Sequence, residues 1–278
     1  MPELTVAMPA YNTGRYIGEA IESVLRQEGV DFELVVVDDG SADDTVRVVR
    51  GFPSPRIRLI ENGARRGIAH CHNVVLERST APFLAHVDSD DLILPGALRK
   101  LVAAVRSAPR VGQAYCHYCP VDQNGQITDE ALRRHRTFLL AQRGPGFDYR
   151  RGLLVHGMVV NPLRTYRREV FGVVGRFDER LRYAVDYDMA LRIAERYDLA
   201  LVPEFLYCQR IHDTNMTEGL RLQALRSWWT RAAIMRRRLR PGSGLLGRRP
   251  AAVYGLMLLG LLYALGIPRV ARAARLTP

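Results

Sequence analysis

Short apolar runs alternate with one-sided apolar segments along the first hundred residues. Strands are predicted at 4–8, 32–37, 57–61 and 83–87. Helices are predicted at 16–27, from a cap at Ser41 or Asp43 to about 50, and at about 68–77. Because strands and helices alternate, and because 32–37 is apolar on both faces, we expect an α/β fold with a mostly parallel sheet between two layers of helices.

The alternation of strand and helix patterns is less regular after residue 95. It predicts a helix at 97–105, strands at 111–121 and 164–171, a helix at 183–196 and an extended segment at 202–211. Residues 133–157 are rich in Arg and Gly and have no clean period. We interpret 1–220 as one domain with halves at about 1–110 and 111–220, and 221–278 as a helical C-terminal extension.

Positive charge is concentrated in the extension. The formal net charge is +11, yet residues 1–220 hold 28 Lys and Arg against 29 Asp and Glu. Residues 221–278 contain twelve arginines and no acidic residue. The body of the protein is therefore nearly neutral, and the positive excess belongs to the extension.

Within the extension, residues 251–267 carry no charge and have arginines on both sides. As a helix this run spans about 25 Å, less than the roughly 30 Å of a bilayer core. A helix that is apolar on all sides must be buried in lipid or protein. Three interpretations therefore stay open: a short membrane-inserted helix, a contact in a homo-oligomer, or packing on its own domain. The basic flanks suit peripheral contact of 245–275 with anionic phospholipid, and they equally suit ordinary solubilising residues.

The cysteines and the N-terminus favour a reducing compartment. Four cysteines give no disulfide framework at this length. Cys116-x-x-Cys119 has redox or zinc spacing, but no second pair follows and the motif lies in a predicted strand. Met-Pro-Glu stands directly before a strand, which predicts no secretory signal. We expect a cytoplasmic protein, with the inner face of the cytoplasmic membrane as an alternative place.

Two predicted strands end in carboxylates. They read Val37-Asp38-Asp39-Gly40-Ser41 and Val87-Asp88-Ser89-Asp90-Asp91. In open α/β sheets ligands bind at the carboxyl ends of strands, so these acids lie where a ligand is expected. Capping of the next helix is the alternative for the first pair, although one cap needs only one acid.

Asp88, Asp90 and Asp91 place three carboxylates within four residues. They repel one another unless a cation neutralises them. Oxygen ligands favour Mg²⁺ or Mn²⁺, and such an ion can bridge to the phosphates of a substrate. An acidic solvated loop is the alternative, but such a loop seldom follows a buried strand so directly.

A series of motifs resembles family 2 glycosyltransferases. They are Pro9-Ala10-Tyr11-Asn12, Ser23-Val24-Leu25-Arg26-Gln27, the two acidic strand ends, 62–73, Gly175-Arg176-Phe177-Asp178-Glu179, 184–192 and 210–217. Each is weak alone, but in this order they cover about residues 4–217. The resemblance implies a GT-A fold and inverting transfer from a nucleoside diphosphate sugar, with a donor half at 1–110 and an acceptor half at 111–220.

The resemblance also implies roles on the donor side. The donor is expected at Pro9, Ala10, Tyr11, Asn12, Asp39, Gly67, His72, Asp88 and Ser89. His72 stands where the family commonly has Arg near the base, so the choice among UDP, GDP and dTDP stays open, with UDP favoured. Asp88 and Asp90 match the family's Asp-x-Asp motif and are both expected at the Mn²⁺ or Mg²⁺ site, with Asp90 as the direct ligand. His212 either completes the metal site or contacts the diphosphate, and a structural role is equally open.

A general base must deprotonate the acceptor hydroxyl as it attacks the anomeric carbon. The family usually supplies it as the Asp of a Glu-Asp pair that opens a late helix. Here that pair reads Val185-Asp186, so the resemblance implies Asp186 as the base, with Asp188 as the competing carboxylate. Val185 removes the carboxylate that usually supports the base or contacts the acceptor.

Other protein classes lack their motifs. No Gly-x-Gly-x-x-Gly follows the first strand, and no P-loop or His-Glu-x-x-His occurs. The arginines and Trp228-Trp229 suggest a nucleic-acid-binding protein, which the uncharged run and the neutral body argue against. A glycosyltransferase-like protein that only binds glycan is the other alternative. We expect an enzyme of envelope polysaccharide or glycolipid synthesis, with a glycan or lipid-linked acceptor and no nucleic-acid partner.

Overall fold

The structure is a computed structural model that describes residues 1–127, 129, 149–155, 158–212 and 230–236. Its strands are β1 (Leu4–Ala10), β2 (Phe32–Asp38), β3 (Ile57–Glu61), β4 (Phe83–His86), β5 (Leu92–Ile93), β6 (Val111–Val121), β7 (Thr165–Arg167) and β8 (Asp198–Arg210). Its helices are α1 (Ile17–Leu25), α2 (Thr45–Arg50), α3 (Ile68–Arg78), α4 (Ala97–Arg106), α5 (Tyr149–Val155), α6 (Val170–Val174) and α7 (Val185–Ala194). The uncharged run 251–267, the Trp228-Trp229 pair and residues 213–217 lie outside this part of the chain.

Within the described residues, the strands form a single sheet in the order β3-β2-β1-β4-β7-β6-β8-β5. The first four of these strands run parallel to one another. β7 then runs antiparallel to both β4 and β6, while β6 and β8 are parallel and β5 is antiparallel to β8. The α/β prediction is confirmed, and the second half of the chain extends the sheet of the first half.

The sheet separates two apolar cores because successive strand residues point to opposite faces. On β1, Val6 and Met8 pack in the core beneath α1 and α4, whereas Ala7 packs in the other core with α3 and α7. β2 divides its apolar residues between the same two cores. A strand that is covered on both faces must be apolar throughout, which explains the uniform run at 32–37.

Two local predictions differ from the structure. The strand predicted at 164–171 ends at Arg167, and Val170 and Phe171 enter the core from the short helix α6. An apolar run of this length suits a strand or a helix equally, so the pattern alone could not separate them. Helix α2 starts at Thr45, later than a cap at Ser41 implies, because the Ser41 hydroxyl accepts a hydrogen bond from the loop after β1. Asp43 accepts from that loop and also from the Thr45 N–H that opens the helix.

The cysteine motif lies on β6, where residues three apart face opposite sides of the sheet. Cys116 is in the core with α1 and α4, and burial raises the pKa of its thiol to about 12. All four cysteines are free. The motif therefore has strand geometry and not the loop geometry of a zinc or redox site.

None of the described helices is both long enough and apolar enough to span a bilayer.

Candidate active site

The carboxyl ends of β1, β2 and β4 meet at one edge of the sheet. Ala7 of β1 is in register with Val35 of β2 and with His86 of β4, so the three parallel strands end close together. The residues that follow them include the predicted donor-binding positions. The parallel topology thus brings together acids that are about fifty residues apart in the chain.

Asp39 holds the loop between β3 and α3. Its Oδ1 accepts hydrogen bonds from Arg66 N at 2.8 Å and Asn62 Nδ2 at 3.0 Å, and its Oδ2 accepts one from Gly67 N at 2.8 Å. The loop comes so close to Gly40 that a Cβ there would lie 2.9 Å from the Ala64 carbonyl carbon. Asp38 instead accepts bonds from Gly40 N and Ser41 N, so it stabilises its own turn.

The segment after β1 is exposed at Tyr11 and anchored at Asn12. Asn12 has a left-handed backbone with φ of 53°. Its N–H donates to Ser41 Oγ, and its Oδ1 accepts from Ala42 N. The Tyr11 ring lies 4.1 Å from the guanidinium carbon of Arg65. This edge therefore presents an aromatic face and a cation beside Asp39, while Pro9 is half-buried and Ala10 is buried.

The three neighbouring acids after β4 occupy different environments. Asp91 is buried, and it accepts hydrogen bonds from Tyr207 Oη at 2.7 Å and Arg210 N at 2.7 Å. Burial and the charges of Asp90 and Asp88 raise the pKa of Asp91 well above its ordinary value. Asp91 therefore ties the acidic loop to β8, whereas the Asp88 and Asp90 side chains keep exposed surface and Ser89 is buried.

Asp90 lies beside the histidine predicted to share its site. Asp90 Oδ2 is 3.0 Å from His212 Nε2, and the imidazole also stacks on Tyr16. Within the described residues, no three His, Cys, Asp or Glu side chains converge as a complete metal site. Two protein donors still fit a Mg²⁺ or Mn²⁺ ion that takes its other ligands from substrate phosphates and water.

Asp88 is linked to Asp186 through two buried side chains. Asp88 Oδ1 is 2.9 Å from His86 Nε2, and His86 Nδ1 contacts the Arg164 guanidinium. Arg164 Nη1 donates to Asp186 Oδ2 at 3.2 Å. Burial acts to raise the pKa of Asp88, but His86 and Arg164 outweigh it and hold that pKa below its ordinary value.

His72 lies in the interior behind this arrangement. Its ring stacks on Phe177 with 4.6 Å between centroids and meets His86 edge-on at 4.2 Å. Burial, together with His86 and Arg164, lowers the pKa of His72 well below its ordinary value. The ring is therefore a neutral packing group in this structure, and it supports His86 from behind.

The two acids at the start of α7 are distinct in their contacts. Asp188 is buried and pairs with Arg192, whose guanidinium also binds the carbonyls of Val174, Gly175 and Arg176. The Asp186 side chain is 36% exposed at the same edge as Asp88. Asp188 thus fastens α7 to the segment before it, and Asp186 is the carboxylate that a bound molecule can reach.

Sequence reasoning missed Arg164, His86, Tyr207 and Arg210. One signal was available for His86, a polar residue in an otherwise apolar strand, two residues before an acid. Arg164 similarly interrupts the apolar context that opens β7. Asp91, the partner that Tyr207 and Arg210 share, lies more than a hundred residues away in the chain, so no local pattern could identify the contact.

Comparison with known proteins gives a match for most of the domain. The profile of Glycosyl transferase family 2 matches residues 5–175. The uncharacterized protein MT1568 of Mycobacterium tuberculosis is 32% identical over 231 residues, 81% of this chain and 72% of that protein. The chondroitin synthase of Escherichia coli is 26% identical over 220 residues, 77% of this chain but 30% of the synthase. The chain thus spans less than a third of that synthase.

Solved structures share the fold. A mannosyltransferase from Pyrobaculum calidifontis, in complex with GDP-Man and Mn²⁺, has a TM-score of 0.66 and 23% identity, covering 100% of this chain and 77% of that one. Residues 1–349 of TarS from S. aureus, in complex with UDP-GlcNAc, give 0.62 and 19% identity, covering 95% and 80%. These identities support the GT-A fold alone. Because the family profile covers more than half of the chain, and because the mycobacterial relative is similar over most of both proteins, the chain belongs to glycosyl transferase family 2.

Proposed function

We propose that the protein transfers a sugar, with inversion, from a nucleoside diphosphate sugar to an acceptor hydroxyl. The observation that carries the proposal is the connection of three acids at one sheet edge. Asp88 and Asp186 are linked by His86 and Arg164, and Asp90 lies two residues beyond Asp88 beside His212. A donor-side pair of acids and a separate, exposed acid are what a single displacement at the anomeric carbon requires.

The donor is proposed to bind along the edge formed by β1, β2 and β4. The exposed Tyr11 ring can cover the nucleobase, and Arg65 stacks on the same ring. Asp39 shapes this edge through its bonds to Arg66 and Gly67. A UDP-sugar is our favoured donor, and the similar structures with GDP-Man and UDP-GlcNAc support nucleotide sugars as the substrate class.

Asp90 and His212 are proposed to hold Mg²⁺ or Mn²⁺ together with the donor diphosphate, with Asp88 beside them. When bound, such an ion supplies positive charge that stabilises the leaving diphosphate. Asp186 accepts the proton of the acceptor hydroxyl as that oxygen forms its bond to the anomeric carbon. Attack from the side opposite the leaving group inverts the configuration of that carbon.

The acceptor is proposed to be a glycan or a lipid-linked glycan of the cell envelope. The support is the similarity to a bacterial polysaccharide synthase and the basic extension with its uncharged run. Peripheral membrane contact through 245–275 belongs to the same proposal, as does a homo-oligomer in which that run is a contact.

The test is the release of nucleoside diphosphate from UDP-glucose, UDP-N-acetylglucosamine, GDP-mannose and dTDP-glucose, with and without Mn²⁺. We expect release from one donor class, dependent on Mn²⁺ or Mg²⁺. Asp90→Ala should reduce this release at least about 100-fold through loss of charge stabilisation. Asp44→Ala is the matched control, since Asp44 is an exposed acid that pairs with Arg47 on α2. Release from none of these donors, or an unchanged rate in Asp90→Ala, would contradict the proposal.

A further inference from the structure

We propose that Arg164 is a positioning residue that holds Asp186 and, through His86, Asp88. The inference rests on the proposed function for the roles of the two acids. It assigns to one buried cation the task of orienting the acceptor-side and the donor-side carboxylates together. Arg164 itself touches neither substrate, because its side chain is only 6% exposed.

The backbone and the side chain of Arg164 both connect it to β4. The His86 N–H donates to the Arg164 carbonyl at 3.0 Å, while the Arg164 guanidinium donates to His86 Nδ1. Arg164 stands directly before β7, which is paired with β4. Its Cα is therefore fixed relative to the acidic strand end, and its guanidinium has little freedom to leave the contact.

This contact fixes which nitrogen of His86 carries the proton. Arginine has five donors and no acceptor, so His86 Nδ1 must accept from Arg164. A neutral imidazole that accepts at Nδ1 carries its hydrogen on Nε2. Nε2 is 2.9 Å from Asp88 Oδ1, so the protonated nitrogen lies next to that carboxylate and attracts it. Arg164 thus orients Asp88 by way of the imidazole.

The other side of the guanidinium faces Asp186. Arg164 Nη1 donates to Asp186 Oδ2 at 3.2 Å and also to Asn161 Oδ1. Asp186 Oδ1 accepts from Tyr187 N at 2.8 Å, so both carboxylate oxygens have a fixed partner. The preceding residue, Val185, is buried in the apolar core with α3 and cannot contribute a polar contact. Arg164 is therefore the cation that restrains the exposed carboxylate.

The planar guanidinium of arginine suits this task better than the compact ammonium group of lysine. The guanidinium reaches His86 on one side and both Asn161 and Asp186 on the other. Lysine keeps the positive charge but has no rigid fork with which to reach both sides at once. We therefore expect Arg164→Lys to lose the simultaneous contact with both sides, even though the variant folds.

The first measurement needs no turnover. Long-range ¹H–¹⁵N NMR of the full chain, with His86 assigned from a His86→Gln variant, should show Nε2 protonated and Nδ1 unprotonated. In Arg164→Ala the Nδ1 resonance should move as expected for loss of a hydrogen-bond donor. Protonation at Nδ1 in the wild type, or an unchanged Nδ1 resonance in the variant, would overturn the proposal.

The second measurement is turnover of the preferred donor from the panel above. Arg164→Ala and Arg164→Lys should lower kcat about 100-fold, as expected for a misplaced base, and should raise KM for the donor, because Asp88 loses its support as well. In an Asp186→Asn background the Arg164→Ala change should cause a much smaller loss of kcat, because the part of the effect that acts through Asp186 is already absent. Equal fold-losses in both backgrounds, or wild-type turnover by Arg164→Lys, would overturn the positioning role.

Arg168→Ala is the matched control. Arg168 lies four residues further on, and its guanidinium binds the carbonyls of Ala81 and Leu76 and the Ser79 hydroxyl, away from the site. It should lower the melting temperature while leaving kcat close to the wild-type value. If wild-type protein turns over no donor, the proposed function fails, and the NMR measurement then decides whether Arg164 holds His86.

Discussion

At the scale of single residues, burial and partners separate carboxylates that look alike in the sequence. Asp90 and Asp91 are adjacent, yet Asp91 is committed to Tyr207 and Arg210 while Asp90 faces His212. Asp186 and Asp188 differ in the same way: Asp188 is buried against Arg192, whereas Asp186 binds Arg164 and stays partly exposed. A buried acid with a full set of donors stabilises the fold, and an exposed one is free to meet a substrate.

This contrast predicts opposite effects for two matched substitutions. Asp186→Asn should lower kcat between about 100-fold and 10,000-fold, because the amide cannot accept the acceptor's proton, with little change in melting temperature. Asp188→Asn should leave the chemistry in place but cost about 2 kcal/mol of folding free energy, because it weakens a charged hydrogen bond to Arg192.

Steady-state kinetics and thermal denaturation of both variants check the prediction. A catalytic loss in Asp188→Asn with an unchanged melting temperature, together with full activity in Asp186→Asn, would reverse the assignment of the base.

The sequence alone identified the acids of the candidate site, but it did not identify the residues that hold them in place. Asp39, Asp88, Asp90 and Asp186 were identified by their position after strands or by the family pattern. Arg164 contacts His86 across 78 residues of chain, and Tyr207 contacts Asp91 across 116. Contacts at such separations are set by strand order, which a single sequence leaves open.

At the scale of elements, the hydrophobic period predicted most strands and helices within a few residues. β3 and β6 have the predicted bounds, because both are continuous runs between turns. The period was insufficient at α6, where a short apolar run folds as a helix. The start of α2 depends on Asp43, which also binds Gly14 in the loop after β1.

Asp43 connects the loop after β1 to the start of α2. Its Oδ2 accepts from Gly14 N, and its Oδ1 accepts from the Thr45 N–H and hydroxyl. Burial acts to raise the pKa of Asp43, but the bonds from Thr45 and Gly14 outweigh it and lower that pKa. The stabilisation by the carboxylate is therefore complete above the unfolded-state pKa of about 4 and is lost as the pH falls through the lower folded-state value.

We expect Asp43→Ala to destabilise the protein by about 1 kcal/mol at pH 7. The difference from the wild type should shrink below about pH 4, because the wild-type carboxyl then becomes protonated as well. Urea denaturation at several pH values measures this, with exposed Asp31→Ala as the control. A difference that stays constant down to pH 2 would contradict the role of the charge.

At the scale of the whole molecule, the two halves share one sheet, so a ligand at its edge should stabilise the entire domain. The preferred donor with Mn²⁺, at about 100 times its Kd, should add about 2.7 kcal/mol to the free energy of unfolding. Thermal denaturation should show a rise of several degrees in Tm. Asp90→Ala should abolish the Mn²⁺-dependent part of that rise, and a full rise in this variant would argue against Asp90 as a ligand.

The C-terminal extension gives a separate prediction from its charge. Removal of 245–278 takes away five arginines and the uncharged run, and each basic residue near an anionic bilayer contributes about 1 kcal/mol of binding. The shortened protein should no longer sediment with phosphatidylserine-containing vesicles, while its donor-induced rise in Tm should persist. Neutral phosphatidylcholine vesicles are the control, and equal sedimentation of both proteins with anionic vesicles would contradict membrane contact.

The sequence by itself determined the α/β class, the acids at the strand ends and the family to which the chain belongs. These follow from local periodicity and from motifs in a fixed order, both of which are present in a single chain. The tertiary structure decided which acids are exposed and which are buried, and it revealed the Arg164–His86 link between Asp186 and Asp88. The physical reason is that burial and hydrogen-bond partners depend on which strands become neighbours, and β7 reaches β4 only when the sheet is complete.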